Sequence, residues 1–232
     1  MKVAIVGYGA MGRCLLERIS RQDQLQCVGV IGSSFYRQID QLPQPPEVII
    51  DVSHPDALPV LARAMESHPV PLVIATTGYS EAQKRRIQRW SHQVPVVLSG
   101  NFSIGMTLVN RMLRCCAEQI ADFFDCDLVE MHHDHKQDSP SGSALMLRQT
   151  LRQGEEEHAD RQIPIVSLRR RDNPGEHTVI LHGDQEQIVI THRAFSRELF
   201  ARGILEAARI IAQSEPGMMT MEDLLLHRRQ TL

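Results

Sequence analysis

The sequence predicts an α/β protein, with a doubly wound parallel sheet in its first part and a second, α+β domain inserted after it. Three observations predict this class. Short apolar runs alternate with helical spacing up to about residue 100, which is typical of a parallel sheet with right-handed crossovers. After Asn101 the β-rich segments follow one another as in hairpins, and an apolar helical pattern over 195–211 then closes the chain.

Five apolar runs predict the strands of the first domain. The first, Met1–Val6, is closed by glycine, and the later ones are 25–31, 47–53, 71–78 with its turn, and 94–99. Apolar residues at helical spacing follow the first and third runs. Ser80 and Gln83 predict a capping box at the start of the helix that ends near Trp90.

The second domain is predicted as one helix followed by a mostly antiparallel or mixed sheet. The helix is expected over Met106–Ala121. The β-rich segments are 126–132, 178–181 and 187–191, with a weaker one at 163–168. Gly183-Asp184 predicts a hairpin turn between the last two strands. We therefore expect one domain over 1–102, completed by 198–232, and another over 103–197.

Composition excludes several classes of function. The chain has 232 residues, 42% of them hydrophobic, and a formal net charge of -3, so nothing draws it generally to nucleic acid or to anionic lipid. The first apolar run is too short for a secretory signal, and no segment approaches the length of a membrane span. Five cysteines without a C-x-x-C pair argue against a disulfide framework. These observations predict a cytoplasmic protein.

The turn Gly7-Tyr-Gly-Ala-Met-Gly12 matches the dinucleotide pattern G-x-G-x-x-G, immediately after a buried strand and before a helix. Gly7 permits the tight turn, Gly9 lets the backbone approach a pyrophosphate, and Gly12 lets helix and strand pack closely. Ala10 and Met11 complete the turn, where the helix N-terminus offers free N–H groups to phosphate. The first domain is therefore predicted to be Rossmann-like and to bind a dinucleotide.

The residues after the second strand bear on the choice between NADPH and NADH. An acidic residue usually holds the adenosine ribose of NADH there, but the segment from Ile31 to Arg37 has no carboxylate. Hydroxyls at Ser33 and Ser34, with Arg37 nearby, favour the 2′-phosphate of NADPH. The alternative is a loop that barely touches the adenosine and discriminates poorly.

Two later turns also end predicted strands. Ala75-Thr76-Thr77-Gly78 and Ser99-Gly100-Asn101-Phe102 lie where turns of an open parallel sheet collect ligands. We expect Ala75, Thr76, Thr77, Ser99, Asn101 and Phe102 along the nicotinamide side of the cofactor. The alternative is that both are plain turns.

The segment from Glu130 to Leu145 concentrates polar chemistry in the second domain. His132 can donate a proton near neutral pH, and Lys136 adds a positive charge. The sequence Ser141-Gly142-Ser143 opens a helix, whose first N–H groups can bind an anion. An acidic substrate that carries carboxylates would satisfy this set.

Two other interpretations of the same segment remain open. His132, His133, His135 and Asp138 could bind a metal, although strand alternation would place His132 and His133 on opposite faces, and no matching Cys/His group occurs elsewhere. We therefore expect no metal. The histidines could also be purely structural, but several buried polar side chains would then all need partners.

The ordered motifs resemble those of the dihydrodipicolinate reductase family along residues 1 to about 230. The resemblance rests on the nucleotide turn and then, in the family's order, on Asp51-Val-Ser-His-Pro55, Ala75-Thr-Thr-Gly78, Asn101-Phe-Ser-Ile-Gly105, His132-His-Asp-His-Lys136, Asp138-Ser-Pro-Ser-Gly-Ser143, Gly175-Glu-His177, Thr191-His192, Ser196-Arg197, Phe200-Ala201 and Gly203. The histidine–lysine segment is the most specific of these.

The resemblance implies an NAD(P)H-dependent reductase of 4-hydroxy-tetrahydrodipicolinate on the diaminopimelate route to lysine. It implies hydride transfer to the substrate in a cleft between the domains, with loss of a hydroxyl as water. His132 would donate the proton, Lys136 would stabilise charge or assist transfer, and His133, Gly142 and Ser143 would bind a substrate carboxylate. The family's usual threonine is serine at Ser143. Members commonly form homotetramers through the sheet of the second domain.

One departure from the family pattern leaves alternatives open. The family usually has Arg-Gly-Gly shortly before Gly-Glu-His, whereas this chain has Arg169-Arg170-Arg171. The mild interpretation is a re-routed surface loop. The severe ones are a catalytically impaired dinucleotide-binding sensor and a reductase of another small dicarboxylate. The intact catalytic residues favour the mild interpretation.

Overall fold

The computed structural model describes residues 1–32, 34–153 and 162–227, so Ser33 lies outside the described residues. The chain divides into two compact units, Met1–Phe102 with Glu198–Leu232, and Ser103–Arg197. Among the described residues, no helix is both long enough and apolar enough to span a bilayer.

The first unit begins with alternating strands and helices. In chain order these are β1 (Lys2–Val6), α1 (Ala10–Ser20), β2 (Gln26–Ile31), β3 (Val48–Asp51), α2 (Leu58–Ser67), β4 (Leu72–Ile74), α3 (Glu81–Trp90) and β5 (Pro95–Leu98). Ser80 and Gln83 form the predicted capping box of α3, each side chain accepting from the backbone N–H of the other. The strands are buried apolar runs, and Val3, Ala4 and Ile5 of β1 are fully inaccessible, as expected for a parallel sheet covered on both faces.

The second unit follows without returning to the first sheet. Its elements are α4 (Ile104–Cys115), α5 (Ala117–Phe123), β6 (Asp125–His132), α6 (Gly142–Arg152), β7 (Ile165–Arg169), β8 (Glu176–Gly183) and β9 (Glu186–Arg193). Its strands lie in the order β7-β6-β8-β9. The β6–β7 pair is parallel and the other two pairs are antiparallel, so the sheet is mixed. Its core packs α4, α5 and α6 on one face.

The chain then completes the first unit with α7 (Glu198–Ile211), β10 (Gly217–Met219) and α8 (Met221–His227). The described parallel sheet has six strands in the order β10-β5-β4-β3-β1-β2. One core packs α1, α7 and α8 on one face of the sheet, and a second core packs α2 and α3 on the other. This confirms the predicted doubly wound sheet and the separate mixed sheet. At Gly203 of α7, a Cβ would lie only 1.8 Å from the Phe102 carbonyl oxygen, so only glycine fits where α7 packs against the backbone of Phe102.

Three details of the sequence prediction were wrong. The single helix expected over 106–121 is two, because Cys116 leaves helical geometry at φ -121° and ψ 14°. The closing helix begins at Glu198 rather than at Phe195. The sixth strand, β10, and the helix after it were not predicted, because three residues carry too little periodicity to be recognised.

Candidate active site

The nucleotide turn is built from three glycines that differ in what surrounds them. Gly7 has φ +103°, and a Cβ there would lie 2.7 Å from the Val52 carbonyl oxygen. A Cβ on Gly12 would lie 2.3 Å from the Gly7 carbonyl oxygen. A Cβ on Gly9 would meet no described atom within 4 Å. Gly7 and Gly12 thus serve the turn and its packing, whereas Gly9 keeps the outer surface of the turn open.

The start of α1 fits a pyrophosphate. Gly9 is the N-cap, with no side chain to accept from the helix, and the first turn from Ala10 carries no acidic residue. The first N–H groups of a helix have no intrahelical partners, and the helix dipole favours an anion beside them. This end of α1 can therefore hold the phosphates of a dinucleotide.

Two exposed aromatic rings contact each other, Tyr8 in the nucleotide turn and Phe35 in the loop after β2. The ring centroids of Tyr8 and Phe35 are 4.6 Å apart in an edge-on arrangement, and the Arg13 guanidinium lies 5.9 Å from the Tyr8 ring. Ser34 and Arg37, predicted to contact the adenosine, are exposed in the same loop. Sequence reasoning missed the Tyr8–Phe35 pair. Its signal was an aromatic residue inside the glycine turn, where the pattern requires none.

The turn after β4 has one inward and one outward threonine. The Thr76 hydroxyl is buried and accepts a 2.9 Å hydrogen bond from the Ser53 N–H, which joins the turns after β3 and β4. The buried Tyr79 hydroxyl donates to the Asp51 carboxylate at 2.8 Å. Thr77 is exposed and Ala75 is half-buried. Of these predicted cofactor contacts, Thr77 therefore presents the more accessible side chain, and Thr76 supports the edge.

The turn after β5 also has one part at the edge of the sheet and one residue in the core. The Ser99 hydroxyl accepts from the Asn101 N–H at 3.2 Å and donates to the Asn101 carbonyl at 2.9 Å. Phe102 is buried in the core beside α7. The predicted cofactor contacts Ser99 and Asn101 thus form a closed turn at the carboxyl edge of the sheet, while the Phe102 ring packs inside.

In the second unit, β6 places two polar residues on its buried face. The strand alternates, with Cys126, Leu128, Glu130 and His132 buried. The sheet register sets Glu130 opposite Ser167 of β7 and His177 of β8. It also sets His132 opposite Arg169. Residues far apart in sequence are brought together by this register.

Glu130 is the centre of the cluster. It is 1% exposed, and its Oε2 lies 2.6 Å from His132 Nδ1. Both atoms are fully buried and neither makes a hydrogen bond of good geometry, so this contact is an ion pair when the ring is protonated. Arg169 Nη1 and the Ser141 N–H each donate to Oε1 at 3.2 Å. Burial raises the pKa of Glu130, but Ser167, Ser141 and the charge of His132 outweigh burial and lower this pKa to about 2.

His132 is held with its two ring nitrogens in different surroundings. Nδ1 faces Glu130, whereas Nε2 faces Gly175, where a Cβ would lie 3.1 Å away. Gly175 has φ +146°, a conformation that favours glycine. Burial lowers the pKa of His132, Glu130 opposes this, and the charges of Lys136 and Arg169 lower it further. A bound dicarboxylate would favour the protonated ring.

His177 connects the cluster to the start of α6. Its Nε2 lies 3.0 Å from the Ser141 hydroxyl oxygen, and its ring packs edge-on against His132 with centroids 5.0 Å apart. Burial, followed by the charge of His132, lowers the pKa of His177 to about 4. The imidazole is therefore neutral at physiological pH.

The predicted anion site lies at the N-terminus of α6. Ser141 caps the helix by accepting from the Ala144 N–H at 3.2 Å. Gly142 is exposed and Ser143 half-buried, and a Cβ on Gly142 would meet no described atom within 4 Å. Lys136 Nζ pairs with Asp138 Oδ1 at 2.7 Å. Burial lowers the pKa of the half-buried His133, as do the charges of Arg197 and Lys136.

The arginine run that departs from the family pattern packs against this segment. Arg169 donates to the Asp138 carbonyl at 2.6 Å as well as to Glu130. The Arg170 N–H donates to the His132 carbonyl at 2.8 Å. The Asp134 N–H donates to the Arg171 carbonyl at 3.1 Å, and the Arg171 N–H donates to the Asp134 carboxylate at 3.0 Å. Arg171 has φ 47°, in the left-handed region where glycine is favoured. The run is therefore part of the cluster's support, and a glycine at 171 would fit the same backbone.

The four residues considered as metal ligands do not form a ligand group. Within the described residues, the donor atoms close enough for a shared ion belong to Glu130, His132 and His177 instead. The Arg169 guanidinium contacts this group through Glu130, and Lys136 adds positive charge at His132. This environment suits proton handling, and we assign no metal to it.

A dinucleotide turn on a doubly wound sheet, with an acid–imidazole cluster and an open helix start beside a second sheet, is typical of nicotinamide-dependent oxidoreductases. Two family models match nearly the whole chain, "Dihydrodipicolinate reductase, N-terminus" over residues 1–102 and "Dihydrodipicolinate reductase, C-terminus" over 105–225. The chain belongs to the dihydrodipicolinate reductase family, as its motifs predicted.

Similar proteins agree with this assignment. A 4-hydroxy-tetrahydrodipicolinate reductase of Zymomonas mobilis is 34% identical, with 97% of each chain covered. One of Thermosipho africanus is also 34% identical, over 97% of this chain and 98% of the relative. Among solved structures, a dipicolinate-bound dihydrodipicolinate reductase from Paenisporosarcina sp. TG-14 has the same fold, with a TM-score of 0.75 at 21% identity, covering 95% of this chain and 97% of that one.

Proposed function

We propose that this protein reduces 4-hydroxy-tetrahydrodipicolinate to tetrahydrodipicolinate with a reduced nicotinamide dinucleotide, in the diaminopimelate route to lysine. The observation that carries the proposal is the buried Glu130–His132 pair beside the start of α6, in a chain that matches the family over nearly its whole length. The reductases named above match end to end, which disfavours a decayed sensor or a different dicarboxylate as substrate.

We assign the substrate carboxylates to the positive and N–H-rich part of the second unit. Lys136 supplies a cation, Gly142 and Ser143 lie in the first turn of α6, and His133 adjoins the proton donor. Helix N-termini and cations both favour carboxylate. These contacts would bind a dianion and orient its ring before reaction.

The reaction consumes one hydride and one proton, and it releases the substrate hydroxyl as water. The dinucleotide, when bound, supplies the hydride. His132 delivers the proton from Nε2, because Nδ1 is engaged by Glu130 and Nε2 faces the space beside Gly175. Lys136 stabilises negative charge on the substrate as the proton is transferred. His133 binds carboxylate rather than donating the proton.

We assign the cofactor as NADPH in preference to NADH, with Gly7, Gly9, Ala10, Met11 and Gly12 holding its pyrophosphate. Asp40, the first acid after β2, contacts Ser67 at 2.8 Å and Arg63 at 3.4 Å on α2, so it is engaged by that helix. Ser34 and Arg37 remain exposed in the loop, and a phosphate would be attracted to the arginine. We place Ala75, Thr77, Ser99 and Asn101 near the nicotinamide.

We also propose that the protein forms a homo-oligomer, a tetramer by resemblance to its family, through the second sheet. Val189 and Ile188 of the edge strand β9 are 53% and 42% exposed, and Val166 of the other edge strand, β7, is 52% exposed. Apolar strand edges of this kind favour contact with another chain.

The test is a substrate-dependent oxidation assay. Loss of reduced-nicotinamide absorbance is followed with NADPH and, separately, NADH, while the cyclic substrate is generated by its synthase. Reactions without the synthase are the control. We expect rapid oxidation that requires the synthase and is faster with NADPH at subsaturating concentration. Binding of NADPH without oxidation would overturn the proposal and favour the sensor, and oxidation with another small imino or keto dicarboxylate alone would favour a different reductase.

A further inference from the structure

We propose that Glu130 is a positioning residue for His132, and that Arg169 fixes Glu130 in that role. The pair orients the imidazole so that Nε2 faces the substrate, and it compensates the positive charge of the ring. The proposal deepens the function above and rests on His132 as its proton donor.

The orientation follows from the contacts of the two Glu130 oxygens. Oε2 lies 2.6 Å from His132 Nδ1, while Oε1 accepts from Arg169 Nη1 and the Ser141 N–H. A carboxylate with one oxygen held by two donors cannot rotate freely, so the other oxygen stays beside Nδ1. A proton on Nδ1 facing this oxygen leaves Nε2 to exchange protons with the substrate.

Arg169 is itself held by several acceptors. Its guanidinium donates to the carbonyl oxygens of Leu168 at 2.8 Å and Asp138 at 2.6 Å. Its Nε lies 3.4 Å from the Lys136 carbonyl oxygen. The same side chain therefore holds the acid of the pair and the backbone that carries the substrate-binding lysine. Its planar fork of donors allows this, and lysine in its place could not reproduce it.

Glu130 offsets the positive charges that surround His132 and would otherwise lower its pKa further. From the strand and loops packed against the ring, the facing groups are Lys136 after β6, Arg169 at the end of β7, and His177 on β8. Lys136 and Arg169 lower the pKa of His132, and among the groups named here Glu130 is the one that raises it. Without this carboxylate, the ring would be protonated only at lower pH.

The experiment compares Glu130→Gln with Asp127→Asn. Asp127 lies on the same strand and also pairs with an imidazole, His182, at 3.2 Å, but these side chains are 47% and 42% exposed. The pKa of His132 is measured by NMR titration in the ligand-free protein, and kcat is measured against pH for the reductase reaction. NADPH affinity and thermal unfolding are measured on the same samples.

For Glu130→Gln we expect the pKa of His132 to fall by at least about one unit. We expect kcat to fall about 10- to 100-fold near pH 8 and less near pH 6, since the protonated fraction recovers as pH falls. NADPH affinity should stay within about twofold, because the nucleotide turn belongs to the other unit. Asp127→Asn should change none of these quantities.

An unchanged pKa of His132 in a folded Glu130→Gln would overturn the proposal. So would a kcat that falls equally at every pH together with a lower melting temperature, since that is what a merely structural role predicts. If Glu130→Gln does not fold, Glu130→Asp replaces it: the charge remains but is withdrawn, so we expect kcat to fall about tenfold, and wild-type kcat would contradict the orienting role. Because the titration needs no substrate, a shifted pKa without reductase activity would sink the proposed reaction and leave the Glu130–His132 coupling standing.

Discussion

The two proposed binding regions of this protein are built in opposite ways. The nucleotide turn uses backbone: Gly7 and Gly12 are needed because side chains would collide with carbonyl oxygens, and Gly9 because the surface must stay open. The cluster around His132 uses side chains from β6, β7, β8 and the start of α6. The first is encoded in six consecutive residues, and the second depends on sheet register. We therefore expect substitutions to impair the two regions separately, each for its own physical reason.

The largest expected effect separates chemistry from cofactor binding. His132→Ala and Lys136→Ala should each lower kcat by roughly 100- to 10,000-fold, the range for a general acid and its partners. NADPH affinity should stay within about threefold, because neither residue belongs to the unit that carries the nucleotide turn. Steady-state kinetics and calorimetric titration measure the two quantities. His182→Ala, an exposed histidine on the same sheet, is the control, and near-normal turnover in both active-site variants would refute their roles.

The second prediction separates two glycines within the nucleotide turn. Gly12→Ala should lower the free energy of unfolding by about 1–3 kcal/mol, because its Cβ overlaps the Gly7 carbonyl oxygen. Gly9→Ala should unfold like the wild type but bind NADPH at least about tenfold more weakly, because the added methyl group occupies the open surface of the turn. Denaturant unfolding and NADPH titration are measured on both. Wild-type affinity in Gly9→Ala would show that the cofactor does not approach this position.

The third prediction concerns the pH dependence of stability. The pKa of His177 is about 4 in the folded protein and 6.5 ordinarily, so folding favours the neutral ring. Its contribution is complete above about pH 6.5 and is lost as pH falls toward 4, a change of about 2–3 kcal/mol. Glu130 has a pKa of about 2, so its protonation changes the free energy of unfolding mainly at more acidic pH. Denaturant unfolding near pH 7 and pH 4.5 measures the loss.

In His177→Asn, the difference in unfolding free energy between pH 7 and pH 4.5 should be smaller than in the wild type by most of this 2–3 kcal/mol, about the contribution of the His177 ring. His182→Asn, which changes an exposed histidine of the same strand, should retain the wild-type difference. A pH dependence that is equal in all three proteins would mean that the cluster does not keep His177 neutral.

The smallest expected effect concerns the arginine run. Arg171→Gly relieves a left-handed residue, worth roughly 1 kcal/mol, but adds the backbone entropy of glycine in the unfolded chain, worth about 0.5–1 kcal/mol. The free energy of unfolding should therefore change by less than about 1 kcal/mol, with kcat unchanged within about twofold, because the bonds of Asp134 are to the backbone at 171. Loss of activity would show that the Arg171 side chain itself contributes to catalysis.

The contrast also explains what the sequence could predict. The strands of the first sheet and the glycine turn were recognisable because their signals are local: buried apolar runs, a glycine pattern and the Ser80–Gln83 cap. His132 and Lys136 were recognisable as a motif. Whether the proposed site residues contact ligands stays a prediction.

The partners of His132 were hidden because they depend on register. Glu130 could have been found, since strand alternation puts it on the same buried face as Leu128 and His132, where an acid needs a partner. His177 and Arg169 could not, because nothing local in the sequence specifies which residues of β7 and β8 lie opposite β6. The break between α4 and α5 at Cys116 was also not predicted, because no glycine or proline marks the end of α4.

Ser141 connects the acid–imidazole cluster to the start of α6. The Ser141 N–H holds Glu130, its hydroxyl caps α6, and the same oxygen lies beside His177. Ser141 therefore links the proposed proton donor to the helix start where we propose that the substrate carboxylate binds. A ligand that pulled on α6 would also pull on the Ser141 N–H from which Glu130 accepts, and so on the carboxylate beside the imidazole. If these roles hold, substrate binding at the helix start affects the acid strength of His132, and we expect a dicarboxylate that fits the helix start badly to be a poor proton acceptor even when it is tightly bound.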